Sequence, residues 1–464
     1  MLGNRSRRCH NAAMRAQNQF FQSGITRDLG FRLQQLRKLR EVLQEHEQDI
    51  YHALHEDLRK PVFEAYVGEL GILLEEAKHA IKHLKIWAKP RRPSLGLAHW
   101  PAGARITQEP FGVALILSPW NYPFQLLLSP LIGAMVAGNC AVLKPSELAP
   151  HSAALIRRMI NENFPKEYID VVEGGVQETQ QLLEQPFDYI FFTGSPRVGR
   201  IVMEAAAKNL TPLTLELGGK SPCLVDVSAD LGAAARRIVW GKFFNAGQTC
   251  VAPDYLLVPK ASAGVLIEKM RAVLRDFFGD DPQKSPDYAR IVNAAHFQRL
   301  SGYLKQGKIL AGGRTDAQDR YIAPTLLAGV KADSPVMQEE IFGPILPIVE
   351  YEGLDAALDL IQAYSKPLAF YLFAEDPKVE AHVLSRVSFG GGCVNDTIAH
   401  LGSPELPFGG VGGSGFGSYH GWRGFETFSH PRAVLKRSTK IDIPVRYPPY
   451  SASYKLKVVK KLMG

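Results

Sequence analysis

The sequence has few cysteines, and they do not form the patterns that define a disulfide framework or a zinc site. Of 464 residues only five are cysteine, and no two of them form a C-x-x-C pair: Cys9, Cys140, Cys223, Cys250 and Cys393. A scattered, odd set of this kind argues against a structural metal or disulfide core. We therefore expect no metal site, and the cysteine usage favours a reducing, cytoplasmic setting.

Internal repeats, low-complexity tracts and compositional extremes are also missing. Hydrophobic residues make up 46% of the chain and charged residues 22%, which excludes a disordered or fibrous protein. The length is sufficient for two or three domains, each with its own core. Any function must therefore be carried by a folded scaffold.

The sequence contains one long uncharged stretch, residues 110–143, but prolines interrupt it. Pro119, Pro123 and Pro130 divide it into a strand (VALILS), a loop (PWNYPF) and a buried helix that ends near Gly138, so we do not interpret it as a membrane span. The basic segment before residue 18 lacks the apolar stretch of a secretion signal. It is interpreted as a leader to a first helix, with organelle targeting as the alternative.

The positive charge is concentrated at the C-terminus. The whole chain has a net charge of +8, and residues 431–464 contain nine basic residues but only one acid, Asp442. No RNA-binding sheet motif, zinc finger or basic helix accompanies this charge, so we expect no nucleic-acid partner. The first interpretation of this tail is a solvated or interface-covering strap. The second is contact with an anionic membrane surface, since tyrosines and aliphatic residues alternate with its lysines.

The hydrophobic pattern predicts an α/β fold. Residues 28–58 predict one long amphipathic helix, and residues 64–87 a second. Beyond residue 139, short apolar runs alternate with helical patterns in two series, which predicts parallel strands joined by helical crossovers. We place the boundary between the series at residues 217–219. The chain is expected to form two doubly wound α/β lobes, with a ligand cleft between them.

Three residues are candidates for catalysis. Cys250 lies in FNAGQTC among small uncharged residues, whereas Cys140 and Cys223 lie in apolar strands and are interpreted as structural. Glu216 is a carboxylate inside an apolar strand, where burial raises a pKa towards the range of a general base. Asn121 follows a strand and carries an amide that can stabilise an oxyanion. The competing interpretations are a buried small side chain, a carboxylate bonded to backbone amides and a turn-forming asparagine.

Two further segments predict contacts with a nucleotide. FFTGSPRVG follows a strand and opens a helix, but it supplies only Gly194 and Gly199 and not a complete G-x-G-x-x-G motif. Lys144 and Glu147, in LKPSE, either bind sugar hydroxyls or form an ordinary surface pair.

Taken together, these segments resemble the aldehyde dehydrogenase superfamily from about Asn11 to the end of the chain. The matching motifs are SPWNYPF, LKPSE, FTGSPRVG, LELGGKSP, FNAGQTC, EEIFGP and PFGGVGGSG. The variant FNAGQTCVAPDY and the YPPY-plus-lysine tail are similar to the class 3 branch, which includes fatty and aromatic aldehyde dehydrogenases.

The resemblance implies a role for each matching residue. Cys250 becomes the nucleophile, Glu216 the general base and Asn121 an oxyanion donor beside the backbone amide of Cys250. The cofactor positions implied are Lys144 and Glu147 at the adenosine ribose, Gly194, Ser195 and Gly199 near the pyrophosphate, Glu340 at the nicotinamide ribose, and Phe342 near the nicotinamide. Asn395 and Phe408 match positions that line the aldehyde channel.

The resemblance also implies the domain organisation. Residues 1–88 and 110–216 form a Rossmann-like cofactor domain, residues 217–423 a catalytic domain, and residues 89–109 and 424–464 a bridging and oligomerisation element with the basic tail. A homodimer is expected from the class 3 resemblance.

The implied activity is oxidation of medium- to long-chain aliphatic or aromatic aldehydes to acids, through a thiohemiacetal and a thioester. NAD is the expected cofactor, because the carboxylate of Glu147 suits free ribose hydroxyls, and NADP is the alternative. Three other readings remain open: a cofactor-independent thiol esterase, a CoA-acylating dehydrogenase, and a non-catalytic binding protein on the same fold.

Overall fold

The computed structural model describes residues 14–463, and the predicted leader with Cys9 lies outside the described residues. The strands, in chain order, are β1 Ala102–Pro110, β2 Val113–Leu117, β3 Cys140–Lys144, β4 Ile169–Val171, β5 Tyr189–Gly194, β6 Leu213–Leu217, β7 Pro222–Val225, β8 Tyr255–Pro259, β9 Lys308–Ala311, β10 Thr315–Asp316, β11 Tyr321–Ile322, β12 Thr325–Ala328, β13 Ile345–Tyr351, β14 Ala369–Phe373, β15 Gly391–Val394, β16 Gly415–Phe416 and β17 Ser429–Arg437.

The helices cover both sheets and fill the connections between strands. They are α1 Leu29–Glu45, α2 Glu47–Leu58, α3 Val62–Ala65, α4 Gly71–Trp87, α5 Gln125–Ala137, α6 Pro150–Asn163, α7 Val176–Leu183, α8 Pro196–Ala207, α9 Leu231–Phe243, α10 Lys260–Phe278, α11 Ala294–Tyr303, α12 Pro335–Gln338, α13 Leu354–Gln362, α14 Pro377–Arg386, α15 Gly421–Thr427 and α16 Ser453–Met463. Residues 14–22 are also helical.

The first large sheet has six strands in the order β16-β6-β5-β2-β3-β4. All its strand pairs are parallel except β16 against β6. The strand order reverses between β2 and β5, and such a switch point opens a crevice at the carboxyl ends of the strands. β2 and β3 are buried along their whole length, as expected for a sheet with helices on both faces.

The second large sheet has seven strands in the order β15-β14-β7-β8-β13-β12-β9, and only β9 is antiparallel to its neighbour. The predicted α/β class with two parallel sheets is therefore confirmed. The predicted boundary at residues 217–219 falls between β6 of the first sheet and β7 of the second. The full set of predicted domain limits stays a prediction.

Two sequence-based helices differ from the structure. The helix predicted over residues 28–58 is interrupted at His46, so that α1 and α2 are separate elements. The second predicted helix begins at Val62 and contains a π-helical segment, Tyr66–Leu70, between α3 and α4. A continuous hydrophobic period does not reveal either irregularity, because the apolar stripe continues through both of them. The buried helix α5 ends as predicted, with Gly138 at φ 96°.

The predicted bridging element forms a two-stranded antiparallel ribbon of β1 and β17. After this ribbon come a turn at Pro444–Arg446 and then helix α16. Among the described residues there is no helix whose length and apolar character would allow it to cross a membrane.

Candidate active site

Cys250 lies at the wall of an apolar cavity of about 270 Å³. Aliphatic and aromatic side chains from several elements line most of it: Val67, Ile72, Tyr122, Leu126, Trp240, Phe244, Val251, Ile398, Leu401, Phe408 and Tyr419. The few polar neighbours are Gln125, Thr249 and His420. A concave, mostly apolar cavity with a few polar groups and a reactive side chain is the usual form of a small-molecule site.

The backbone before Cys250 is tightly constrained. Asn245 and Ala246 both adopt left-handed conformations, with φ of 53° and 52°, directly after helix α9. Gly247 continues the turn at φ 72°, and a Cβ on it would lie 2.3 Å from the carbonyl oxygen of Gly343. Non-glycine residues in this region are strained and persist only when the surroundings fix them. The loop therefore holds Cys250 in one position.

The thiol of Cys250 is half-buried, and burial raises its pKa to about 12, with further contributions from Glu340 and Glu216. The backbone amides of Cys250 and Val251 act in the opposite direction, because they hydrogen-bond to the sulfur. The resting residue is therefore a neutral thiol. Forming the thiolate requires an acceptor for its proton and a relief of the negative charge nearby.

Glu216 lies in β6 and is 3% exposed. Neither of its carboxylate oxygens has a hydrogen-bond partner within residues 14–463. Desolvation raises its pKa well above the ordinary value for glutamate. A buried carboxyl group without partners is costly for folding, and such groups cluster at sites where proton transfer is needed.

Asn121 lies in the loop after β2 and is 1% exposed. Its Nδ2 donates to the carbonyl oxygen of Gln248 at 3.0 Å, which uses one of its two N–H groups. Its Oδ1 has no partner in the described part of the chain. One N–H therefore ties Asn121 to the loop of residues 245–250, which we call the nucleophile loop. The second N–H is free to bind an oxyanion.

A buried ion pair supports Asn121, and sequence analysis did not find it. Lys60 Nζ donates to Glu69 Oε1 at 2.6 Å and to the carbonyl oxygen of Asn121 at 2.9 Å, and both charged side chains are fully buried. Glu69 Oε2 accepts from the backbone N–H groups of Phe124 and Gln125, each at 3.0 Å. This network fixes the loop that contains Asn121 to the segment between α2 and α4.

Two further hydrogen bonds join the nucleophile loop to neighbouring segments of the chain. Tyr122 and Thr249 share a hydrogen bond of 2.6 Å between their hydroxyl oxygens. Glu64 Oε2 accepts from the backbone N–H of Asn245 at 2.9 Å. In the sequence, these contacts are signalled only by charged residues within an apolar helical pattern. Such residues do not by themselves identify their partners.

The carboxyl edge of the six-stranded sheet contains polar groups that fit a dinucleotide. The hydroxyl oxygens of Ser118, after β2, and Thr193, in β5, are buried without partners within the described residues. Lys144 ends β3, and its Nζ lies 3.8 Å from Glu147 Oε2 and donates to the carbonyl oxygen of Pro145 at 2.7 Å. Orphaned hydroxyls at the switch point of a parallel sheet match the place where nucleotides bind.

The turn after β5 leads into helix α8. Ser195 caps this helix, its hydroxyl accepting from the backbone N–H of Val198 at 3.4 Å. A Cβ on Gly194 would lie 2.6 Å from the ring of Phe192, and one on Gly199 would lie 2.7 Å from Leu217 Cδ2. Gly199 therefore allows α8 to pack closely on β6, and Gly194 leaves room for the Phe192 ring at the end of β5; a helix N-terminus in this position suits a phosphate group.

Glu340 and Phe342 lie near the other end of this crevice. A Cβ on Gly218 would lie 2.0 Å from Glu340 Oε2, and the backbone N–H of Gly219 hydrogen-bonds to the Glu340 carboxylate. Desolvation raises the pKa of Glu340 to about 8. The ring of Phe342 meets that of Trp120 edge-on, with centroids 5.4 Å apart. Glu340 also influences the thiol of Cys250 electrostatically, so it lies on the side of the crevice nearest the nucleophile.

Of the two predicted channel residues, Phe408 lines the cavity and Asn395 does not. The side-chain amide of Asn395 makes two hydrogen bonds to Ala374: Nδ2 donates to its carbonyl oxygen at 2.8 Å, and Oδ1 accepts from its N–H at 2.9 Å. Asn395 also adopts φ 57°. These two bonds fix the end of β15 against β14, and the channel role of Asn395 stays a prediction.

Comparison with known proteins adds independent information. Residues 4–434 match the sequence model of the aldehyde dehydrogenase family. A 4,4'-diaponeurosporen-aldehyde dehydrogenase of Staphylococcus aureus is 51% identical over 438 residues, which are 94% of this chain and 95% of that protein. The mouse protein named aldehyde dehydrogenase, dimeric NADP-preferring, is 48% identical, with 93% of this chain and 96% of that protein covered.

A solved structure gives the same result for the fold. The structure described as the substrate-bound state of Staphylococcus aureus AldH superposes with a TM-score of 0.96 at 49% identity. The superposition covers 98% of this chain and 99% of that one.

Proposed function

Because the chain belongs to the aldehyde dehydrogenase family, and is thus an enzyme that oxidises aldehydes with NAD or NADP, we propose that Cys250 is its nucleophile and Glu216 its general base. One observation carries this proposal: a thiol at an apolar cavity is electrostatically coupled to a buried carboxylate whose two oxygens have no partner within residues 14–463. A structural role for Glu216 would require partners for those oxygens.

The first step is attack of the Cys250 sulfur on the aldehyde carbon. A C–S bond forms, the thiol proton is released to solvent, and the carbonyl oxygen becomes an oxyanion. The free N–H of Asn121 and the backbone N–H of Cys250 stabilise that charge in a cavity with few polar groups. The Asn121 side chain donates to Gln248, and the Asn121 carbonyl oxygen accepts from Lys60. These two bonds keep the donor in place before the aldehyde arrives.

The second stage converts the thiohemiacetal into an acid. When bound, the oxidised nicotinamide supplies a hydride acceptor. As the aldehyde hydrogen leaves as hydride, the C=O bond forms again and the product on Cys250 is a thioester. Glu216 then removes a proton from water, the hydroxide adds to the thioester carbon, and the C–S bond breaks to release the carboxylic acid. Cys250 recovers a proton at the end of the cycle.

The residues at the carboxyl edge of the six-stranded sheet would hold the cofactor. Lys144 and Glu147 would bind the adenosine ribose, Ser195 with its helix N-terminus the pyrophosphate, and Glu340 the nicotinamide ribose. We propose NAD as the preferred form, because a carboxylate at position 147 accepts hydrogen bonds from ribose hydroxyls and repels a 2′-phosphate. NADP remains usable, because Lys144 lies 3.8 Å from that carboxylate and offsets part of its charge.

The cavity supports aliphatic chains of medium length and aromatic rings as substrates. Its volume of about 270 Å³ is near the lower end of the usual range for ligand sites, roughly 300–1,000 Å³. A longer chain would continue through the mouth, where Val67 and neighbouring apolar residues are partly exposed. The dry lining favours the apolar part of an aldehyde through burial of its surface.

Three finer points are part of the same proposal. The enzyme is a homodimer, supported by the printed name of the mouse relative and testable by light scattering. It is cytoplasmic, in keeping with its cysteine usage. Helix α16 contacts anionic membrane surfaces, supported by its three exposed lysines, Lys457, Lys460 and Lys461, beside exposed apolar side chains. Sedimentation with anionic and with neutral vesicles tests the last point, and equal binding to both would contradict it.

The central experiment follows reduced cofactor by absorbance during oxidation of aliphatic and aromatic aldehydes. Cys250→Ala is expected to lower the rate by about 10⁴-fold or more, because the covalent route is lost. Cys393→Ala is the matched control: its half-buried thiol lies 3.5 Å from His400 Nδ1 and is not among the groups that line the cavity, so its replacement should leave most of the rate. If the Cys250 variant remained active, or if the native protein cleaved esters but formed no reduced cofactor, the proposed mechanism would be wrong.

A further inference from the structure

A second cavity lies on the opposite side of one wall of the aldehyde channel. It has a volume of about 250 Å³ and shares Trp240 and Phe244 with the channel. Its other walls come from α3 and the residue before it, from the end of α10, and from Asp287. We call this cavity the Glu64 cleft, because Glu64 is its only nearly buried charged residue among those that line it.

Most of the surface of the Glu64 cleft is aromatic. Phe63, Phe277 and Phe278 line it together with the two shared rings, and Phe63 is 67% exposed. Such exposure of a phenylalanine at a cavity rim leaves its ring available to a ligand. The Arg236 guanidinium lies 5.6 Å from the centroid of the Phe277 ring. One ring of the cleft therefore already attracts a cation of this chain.

Carboxylates provide the only charges that line the cleft. Glu64 is 8% exposed, and one of its oxygens accepts from the Asn245 N–H. Desolvation, with a smaller contribution from Asp287, raises the pKa of Glu64 to about 8, while the Asn245 N–H and Lys60 act in the opposite direction. The lining of the cleft thus contains two acidic side chains and no basic one.

We propose that the Glu64 cleft is a binding site for a small organic cation of the alkylammonium or quaternary ammonium type. Aromatic faces attract such cations through their quadrupoles, and a carboxylate adds a direct charge partner. A neutral apolar ligand would offer no charge partner to the Glu64 carboxylate. An anion would be repelled by Glu64 and Asp287.

The site has a direct connection to the nucleophile loop. A cation beside Glu64 favours the ionised carboxylate, which is a stronger acceptor for the Asn245 N–H than the neutral acid. Asn245 begins the left-handed turn that leads to Cys250. Occupancy of the cleft therefore stabilises the conformation of this turn, and the occupant acts as an effector without entering the aldehyde channel.

Calorimetric titration of the full-length protein tests the proposal. The probes are choline chloride and its neutral isostere 3,3-dimethylbutan-1-ol, at equal ionic strength. Choline is expected to bind at least about tenfold more tightly than the isostere, because only the cation interacts with the rings and the carboxylate electrostatically. Equal affinity for the two probes, or no binding of choline, would overturn the proposal.

Three variants locate the binding. Glu64→Gln keeps an acceptor for Asn245 but removes the charge, and we expect choline affinity to fall about tenfold; Asp287→Asn and Phe277→Leu should each lower it about threefold. Since Asp287 is exposed and Phe277 does not line the channel, these two variants answer the question even if Glu64→Gln does not fold. Glu268→Gln is the control, because Glu268 lies on the same helix as Phe277 but pairs with Arg271, outside the cleft. Unchanged choline affinity in Asp287→Asn and Phe277→Leu would place the cation elsewhere and contradict the proposal.

Discussion

Glu69 and Glu216 are both buried carboxylates, but the protein surrounds them differently. Glu69, in the segment between α3 and α4, accepts hydrogen bonds from the Lys60 ammonium group and from two backbone N–H groups. Glu216, in β6, receives no hydrogen bond from any described residue. Desolvation raises the pKa of both groups, and only at Glu69 do hydrogen bonds and a cation oppose this effect.

The difference in hydrogen-bond partners gives the two carboxylates different expected roles, one in supporting the structure and the other in catalysis. A carboxylate with all its partners in place is held in one position and contributes little to proton transfer, because every change would break a bond. A carboxylate without partners reduces stability, but its oxygens are available to water or to a thiol proton. The segment around Glu69 is therefore expected to act on stability and the end of β6 on rate.

The largest expected effect is that of Glu216→Gln on thioester hydrolysis. The amide cannot accept a proton from water, so the steady-state rate should fall by about 10²- to 10⁴-fold. A burst of reduced cofactor in the first turnover should remain, since the thioester still forms. Rapid mixing with an aldehyde and the cofactor, followed by absorbance, measures both phases.

Glu69→Gln is the comparison for that experiment. It should lower the stability while leaving the ratio of burst to steady-state rate near the native value. Glu216→Gln should keep or raise the free energy of unfolding, because a neutral amide is easier to bury than a carboxylate. Equal loss of the burst and the steady-state rate in Glu216→Gln would remove Glu216 from the role of base.

The next effect concerns the ion pair. Lys60→Met leaves Glu69 buried without its cation, and breaking a buried pair in this way costs about 3–5 kcal/mol in the free energy of unfolding. Urea unfolding measures the loss. The double variant Lys60→Met/Glu69→Gln should recover part of it, because the unpaired charge is gone.

Lys78→Met is the matched control for the ion pair. Lys78 pairs with Glu75 at 3.0 Å within helix α4, but both side chains are largely exposed. Its loss should be a small fraction of the loss in Lys60→Met, because exposed pairs contribute little. If the two variants lost the same amount, Lys60 would not be the support that its contacts indicate.

The fold and the reactive groups were accessible from the sequence because they depend on local patterns. Alternating apolar runs and helical periods predicted the two parallel sheets, and a carboxylate within LELGG predicted a group such as Glu216. The small residues of FNAGQTC singled out Cys250, but the cavity beside it is built from residues between Val67 and His420, and that lining is not a local pattern. Motifs of this kind indicate both a residue type and a backbone geometry, so they predict elements of the fold and residues of the site together.

The supporting network was not accessible from the sequence. The partner of Lys60 is only nine positions away, but the atoms it holds belong to Asn121, which lies 61 positions away. Which charges of an amphipathic helix turn inward depends on the π-helical segment at residues 66–70, and the hydrophobic period does not show it. The hydrogen bonds between the Asn395 amide and Ala374 were hidden for the same reason, because Ala374 follows a neighbouring strand.

The two asparagines extend the comparison from carboxylates to amides. Asn121→Ala removes an oxyanion donor, and we expect kcat to fall about 10²- to 10³-fold. Asn395→Ala removes two hydrogen bonds to Ala374 and should cost about 1–3 kcal/mol in the free energy of unfolding, with a nearly native kcat per folded molecule. Steady-state kinetics and urea unfolding of both variants measure the contrast. A large fall in kcat for Asn395→Ala would return that residue to the channel.

The last expected effect is the dependence of stability on pH that comes from Glu76. This carboxyl group is 4% exposed, accepts from the backbone N–H of Gly421 at 2.7 Å, and desolvation raises its pKa to about 7. The folded protein therefore keeps a proton that the unfolded chain releases near the ordinary value of 4.5. The stabilisation is complete below pH 4.5 and is lost as the pH rises through 7.

Glu76→Gln should remove this dependence, by up to about 3 kcal/mol between pH 5 and 8. Urea unfolding of the native protein and the variant across that range measures the difference. Glu64 and Glu340, with pKa values raised to about 8, continue to lower the stability in both proteins as the pH rises. Only the difference between the two curves therefore belongs to Glu76. Parallel curves would mean that its single hydrogen bond to Gly421 already satisfies the ionised form, and Glu76 would then belong with Glu69 and not with Glu216.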